Sequence, residues 1–202
     1  MSADAETLAF YDREAAAYAD RAALEADGPW LARFLAALPP RAEVLDFGAG
    51  PGWAAGRFAS AGHDVLAFDL SPGLLAEAER RYGVRTRVGG FADLDDDARY
   101  DAVWASFCLL HAPRPEVPGH LARIRRALRP GGLVYVGLKE GAGEQRDRFG
   151  RFYVYYRKAE LEGLLAEAGF AEIELVEGAP EPGFDGVPHG ALHAYARRPD
   201  DG

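Results

Sequence analysis

The chain has 202 residues, 49% hydrophobic and 27% charged, which suits one globular domain with a sizeable core. Its net charge of −9 weighs against DNA, RNA or an anionic membrane as the main partner, because phosphate binding needs a basic face. The single cysteine, Cys108, excludes an internal disulfide and fits a reducing cytosol. No apolar run approaches the roughly 18 residues of a membrane span. Met1–Glu6 lacks the basic and apolar regions of a secretion signal. A cytoplasmic location is expected.

In chain order, residues 5–21 read as a helix, with Leu8, Tyr11, Ala15 and Tyr18 at three- and four-residue steps. A second helix follows Asp27-Gly28-Pro29; Leu31, Phe34, Leu35 and Leu38 make its apolar stripe, and Pro39-Pro40 ends it. Ala42–Phe47 is the first strand. Gly48-Ala49-Gly50-Pro51-Gly52 is a tight loop, and a helix runs from Trp53 to Ala61, stopped by Gly62. Asp64–Asp69 is a strand of consecutive apolar residues, as in a parallel sheet buried on both faces. Ser71-Pro72 opens the next helix and Gly83 closes it. Val84–Gly89 and Tyr100–Ser106 are the third and fourth strands. A helix at His120–Leu128, a turn at Arg129–Gly132 and a fifth strand at Leu133–Leu138 follow. Residues 139–157 are too irregular for one assignment. Lys158–Ala168 is a helix. Ala171–Val176 and Leu192–Arg197 are closing strands, joined by a proline- and glycine-rich loop and expected to pair antiparallel.

This alternation indicates an α/β fold: a Rossmann-like, seven-stranded, mostly parallel sheet with one antiparallel edge strand, helices on both faces and N-terminal cap helices. One domain is expected over 1–202: cap helices in 1–40, a ligand-binding core in 41–140, and a lid, last helix and strand pair in 141–202. The ligand should lie at the carboxyl ends of the first and fourth strands, where strand order reverses.

The glycine loop narrows the ligand. A dinucleotide fingerprint beginning at Gly48 needs a third glycine where Trp53 stands, and no Gly-Lys-Ser/Thr follows to make a P-loop. Asp46, just before the loop, is awkward beside a pyrophosphate and useful beside a cation. Asp69, 19 residues after Gly50, offers an acceptor pair for two vicinal ribose hydroxyls. His189 and His193 are four apart, but Gly190 and the strand pattern argue against a helical metal face. No cysteine–histidine cluster suggests zinc, so no metal is expected.

With these residues in order, the chain resembles a class I S-adenosylmethionine-dependent methyltransferase. It is similar to the small bacterial enzymes grouped with the ubiquinone-biosynthesis and tellurite-resistance types. The resemblance rests on Val44–Gly52, Asp69-Leu70-Ser71-Pro72, Tyr100–Ala105 and Leu128-Arg129-Pro130-Gly131-Gly132-Leu133, together with Lys139-Glu140-Gly141 and Arg151–Tyr156. It implies S-adenosylmethionine as cofactor and a small-molecule methyl acceptor, with no nucleic acid and no membrane as partner, and a monomer or weak homodimer. By that resemblance Gly48, Ala49 and Gly50 face the methionine part and ribose, Asp46 reaches the ammonium, Asp69 holds the ribose hydroxyls, and Leu70, Phe91 and Ala92 line the adenine. The adenine amino group is left to Asp93 or to a backbone group. Ser106 and Phe107 sit under the sulfonium, and Tyr11, Tyr18 and Arg21 cover the methionine carboxylate, which an arginine fork suits. His111, beyond the fourth strand, is the candidate base. Arg151 and Tyr153 belong to the lid, with Arg151 expected to meet an anionic group on the acceptor. A non-catalytic S-adenosylmethionine or S-adenosylhomocysteine binding module remains an alternative, as does, with Trp53 and Asp46 against it, a nicotinamide-dependent oxidoreductase.

Overall fold

In a computed structural model, which describes residues 4–22, 28–182 and 186–200, the apolar runs assemble into one seven-stranded sheet. Its strands are β1 (Glu43–Phe47), β2 (Asp64–Asp69), β3 (Arg85–Val88), β4 (Tyr100–Ser106) and β5 (Leu128–Lys139), then β8 (Ala171–Pro182) and β9 (Pro188–Arg197). Their spatial order is β3-β2-β1-β4-β5-β9-β8. The first five pair in parallel. The antiparallel strand β9 inserts between β5 and β8 at one end of the sheet. Order reverses between β1 and β4, so their carboxyl ends open a crevice.

The alternating pleat sorts the core into two layers. Leu45, Phe47, Val103, Ala105, Val134 and Val136 meet α6 (Val117–Ala127) and α7 (Lys158–Glu167). Val44, Ala102, Trp104, Leu133 and Tyr135 meet α3 (Pro29–Ala36), α4 (Trp53–Ser60) and α5 (Pro72–Tyr82). Several of these helices start as the sequence signals: Ser71 Oγ accepts from the Leu74 N–H, with proline next in line, and Pro29 opens α3.

The structure differs from the sequence reading in five places, the first being β5, which begins at Leu128 and runs through the turn expected at Arg129–Gly132. The expected helix over 5–21 is two, α1 (Ala5–Arg13) and α2 (Ala15–Ala22), parted at Glu14. No glycine or proline breaks it; next to the break, Tyr11 and Asp12 make side-chain contacts to His111 and Ser71. α6 starts at Val117, with Pro118 in its first turn, rather than at His120. Within the irregular segment, β6 (Glu144–Arg146) and β7 (Phe152–Val154) form an antiparallel hairpin. The closing strands extend through most of their glycine- and proline-rich connection, Gly178 pairing with Ala191 and Glu181 with His189. Among the described residues no helix is long and apolar enough to cross a membrane.

Candidate active site

The loop after β1 is shaped by close approaches. Gly48 has φ +69°, and a Cβ there would stand 2.2 Å from the Cβ of Cys108, so only glycine fits. Its N–H and that of Ala49 both donate to the Phe68 carbonyl, at 2.8 and 3.0 Å. Gly52 (φ +75°) lets α4 start against Ala78 but leaves that helix without a side-chain cap. Asp46 compensates from the neighbouring strand: its Oδ2 accepts from the Ala55 N–H at 3.0 Å. Only 2% of Asp46 is exposed, and burial pushes its carboxyl up to about 7, the Ala55 N–H opposing and the Asp69 charge adding. Asp69 closes the loop from β2, accepting from the Gly50 N–H at 2.9 Å and the Ser71 N–H at 2.8 Å. Burial raises its pKa too, against the pull of those N–H groups.

A second wall comes from strand register. On the face under α3, Trp104, Tyr135 and Tyr195 are cross-strand neighbours, and Ser106, Gly137 and His193 form the next rung. Trp104 stacks on Tyr135 with ring centroids 3.8 Å apart. The Tyr135 hydroxyl meets His193 Nδ1 at 2.7 Å, and Trp30 of α3 stacks on the His193 ring at 3.8 Å. Phe107 sits over Gly137 with φ +52°, a left-handed backbone that a non-glycine side chain adopts only under constraint.

The roof is α1 and the β6–β7 hairpin. Asp4 pairs with Arg146 at 2.6 Å, and the Phe152 N–H donates to Thr7 Oγ1 at 2.8 Å. Arg151 is 1% exposed; its Nε and Nη2 both donate to Asp147 Oδ2, and its Nη1 donates to the Tyr11 hydroxyl at 3.2 Å. His111 Nδ1 lies 2.6 Å from the Phe152 carbonyl and Nε2 lies 3.0 Å from the Tyr11 hydroxyl. A carbonyl only accepts, so Nδ1 carries the proton and Nε2 accepts from Tyr11, whose hydroxyl burial keeps protonated. On the far side Asp12 accepts from Ser71 Oγ at 2.5 Å, tying α1 to the start of α5.

Loop, wall and roof enclose a cavity of about 520 Å³. Carboxylates and bare backbone line one end, and stacked rings line the other. Among the described residues no three His, Cys, Asp or Glu side chains converge to hold a metal ion.

The methyltransferase domain family matches residues 44–132. The chain is also 32% identical to a Burkholderia thailandensis N-methyltransferase, crystallised with 1,6-didemethyltoxoflavin and S-adenosylhomocysteine. That match covers 85% of this chain and 77% of the other, with a TM-score of 0.69. The chain belongs to the S-adenosylmethionine-dependent methyltransferases. A TehB-like methyltransferase from Corynebacterium glutamicum, 24% identical, shares the fold over 91% of this chain and 97% of its own, with a TM-score of 0.68. Trans-aconitate 2-methyltransferase of Methylobacterium nodulans is 35% identical over 60% of this chain and 46% of its own length. The chain spans about half the length of the curated relatives it matches.

Within the methyltransferase cavity lie most of the expected residues: Tyr11, Tyr18, Asp46, Gly48, Ala49, Gly50, Asp69, Leu70, Phe91, Ser106, Phe107, His111, Arg151 and Tyr153. Two do not line it. Arg21, at the end of α2, falls outside the lining, although Tyr18 of the same helix lies in it. Ala92 is exposed on a 3₁₀ turn over Phe91–Asp93, of which only Phe91 lines the cavity; Asp93 Oδ2 accepts from the Gly90 N–H at 2.8 Å. Two others are in place but differently employed. His111, expected as a base, has both ring nitrogens engaged, and burial lowers its pKa to about 4. Arg151, expected to meet an anionic acceptor, is already matched by Asp147. Trp30, Trp53, Trp104, Tyr135 and His193 also line the cavity and were not expected. The parity of Trp104 with Ser106, and of His193 with Tyr195, was the signal available for two of them.

Proposed function

We propose that this chain binds S-adenosylmethionine and transfers its methyl group to a small-molecule acceptor. The observation that carries the reading is the single cavity that joins the Asp46–Gly50–Asp69 end to the ring-lined end beneath one roof. The residues fit the cofactor. A Cβ on Gly50 would meet nothing within 4 Å, so bare backbone borders the cavity there, and two carboxylates of raised pKa, Asp46 buried and Asp69 half-buried, await a cation and a pair of hydroxyls. Asp69 holds the ribose hydroxyls, Leu70 and Phe91 flank the adenine, Asp46 faces the ammonium, and Tyr11 and Tyr18 close over the carboxylate.

Bound S-adenosylmethionine supplies an electrophilic methyl on a sulfonium, already an activated leaving group. The protein supplies alignment, worth up to about 7–11 kcal/mol of barrier. Ser106 and Phe107 support the sulfonium end. Tyr153 shapes the acceptor space, and Arg151 and His111 hold Tyr11 in place from both sides. We place the protein in the cytoplasm as a monomer or weak homodimer, on the strength of its buried lone thiol and acidic surface, which also disfavours nucleic acid.

Calorimetry with S-adenosylhomocysteine and with NAD tests the first half: one molecule of the former should bind and the latter should not. Transfer of a labelled methyl group to members of a broad acceptor panel tests the second. Stabilisation by NAD alone would sink the reading.

A further inference from the structure

The far end of the cavity is built from rings, and its charges are already spent. Arg151 is held on Asp147, Asp4 on Arg146, and Lys139 Nζ lies 4.1 Å over the Tyr153 ring. The stretches outside the described residues contain no lysine or arginine. A carboxylate or phosphate on the acceptor would therefore have to draw Arg151 off Asp147 or Lys139 off the Tyr153 ring. Phe107, by contrast, is 36% exposed, an aromatic ring held open to the cavity on a left-handed backbone. The His193 ring stands edge-on to it at 6.0 Å, locked between the Trp30 stack and the Tyr135 hydroxyl on Nδ1. That leaves Nε2 with no hydrogen-bond partner among the described residues, and Nε2 is not among the sealed polar atoms. Gly178 keeps the approach clear, since a Cβ there would stand 2.8 Å from Nε2.

We infer that the methyl acceptor is an uncharged planar ring, heteroaromatic or phenolic, that lies on Phe107 and hydrogen-bonds through a ring heteroatom or hydroxyl to His193 Nε2. This rests on the methyl-transfer reading above. A flat ring covers the exposed phenyl face by offset stacking, and a neutral one leaves no buried charge unmatched. Neutral imidazole gives or takes one hydrogen bond at Nε2 as its tautomer allows, so His193 selects the ring's orientation. Methylation forms the bond from the ring nitrogen or oxygen to the methyl carbon and breaks the carbon–sulfur bond, whose electron pair stays on sulfur. The proton lost from the acceptor goes to water.

The test uses the full chain saturated with S-adenosylhomocysteine. Lumazine, naphthol and catechol serve as neutral rings, and citrate, succinate and phosphocholine as charged chains. The expected result is binding by rings, with shifts in the His193 ring-nitrogen and Trp30 indole signals in NMR spectra. Trp30→Ala and His193→Ala should each weaken ring binding about tenfold, the loss of one good contact or hydrogen bond. Their S-adenosylhomocysteine affinity should stay within about twofold, which also reports that they fold. His193→Gln should restore part of the loss. Tighter binding by the charged chains, or rings that bind both alanine variants as well as the parent, or no ring that moves the His193 signals, overturns the inference. Failure to bind S-adenosylhomocysteine at all would instead strike the methyl-transfer reading.

Discussion

The two ends of the cavity are made in opposite ways. At the glycine-loop end the deciding contacts are short in sequence: Asp46 to Ala55 spans nine residues and Gly50 to Asp69 spans 19, and each ends on a backbone N–H. At the ring end they are long and run between side chains. Tyr135 to His193 spans 58 residues, Tyr11 to His111 100, and Arg151 to Tyr11 140. A site made of backbone survives wide change in the surrounding side chains, which suits a ligand shared by many enzymes. A site made of side chains brought together by register and lid packing can be retuned residue by residue, which suits an acceptor that differs between them.

That contrast can be broken most severely at Gly48. Gly48→Ala forces a left-handed non-glycine residue and drives a methyl into Cys108. Strain and overpacking together should cost up to about 6 kcal/mol, read by urea unfolding. Adding Cys108→Gly should recover the overpacking share and leave the strain; no recovery would mean the clash is not the cause. At the other end, Asp147→Ala strands the buried Arg151 guanidinium, with side-chain exposures of 2% and 6% for the pair. A loss of about 3–5 kcal/mol is expected, with Arg151→Met plus Asp147→Asn much milder. Because Arg151 also holds the Tyr11 hydroxyl, the folded fraction should bind S-adenosylhomocysteine somewhat more weakly, by the contact Tyr11 makes to its carboxylate.

The same contrast explains what was legible in the sequence. The five parallel strands, the glycine loop and Asp69 announce themselves through runs of apolar residues and turn chemistry, which are local. Trp30, Tyr135 and His193 do not: parity places His193 on one face with Tyr195, but what that face meets depends on β9 inserting between β5 and β8. The N-terminal helix shows the same limit: Tyr11 and Tyr18 line the cavity and Arg21 does not, a choice of face that rests on contacts such as Asp12 with Ser71, 59 residues away. His111 was found by position, while its hydrogen bonds were not legible, since the carbonyl of Phe152 that fixes its tautomer belongs to a hairpin the composition did not reveal.

Smaller effects sharpen the loop end. Asp69→Ala should remove at least one charge-assisted hydrogen bond to the ribose, about 1.5–3 kcal/mol, and weaken S-adenosylhomocysteine binding in calorimetry by roughly one to two orders of magnitude. It also frees the N–H groups of Gly50 and Ser71, so Asp69→Asn, which can keep one of them, should fall between the alanine variant and the parent.

The gentlest test concerns Asp46, whose carboxyl is lifted from 3.8 to about 7 by burial. In the free protein the protonated form dominates below neutrality, and its stabilisation, full below the unfolded value, fades as pH rises through about 7. A ligand ammonium favours the ionised form, so binding must expel the proton wherever Asp46 still holds one. Affinity for S-adenosylhomocysteine should therefore rise about tenfold between roughly pH 5.5 and 7 and then level off. Calorimetry in buffers of different ionisation enthalpy should show a proton released at the acid end of that range. Asp46→Asn keeps an acceptor for the Ala55 N–H and has no proton to release, so its affinity should be lower and flat with pH. A parent protein as flat as the variant would mean that the ammonium lies elsewhere, and that the loop end recognises its ligand through Asp69 and backbone alone.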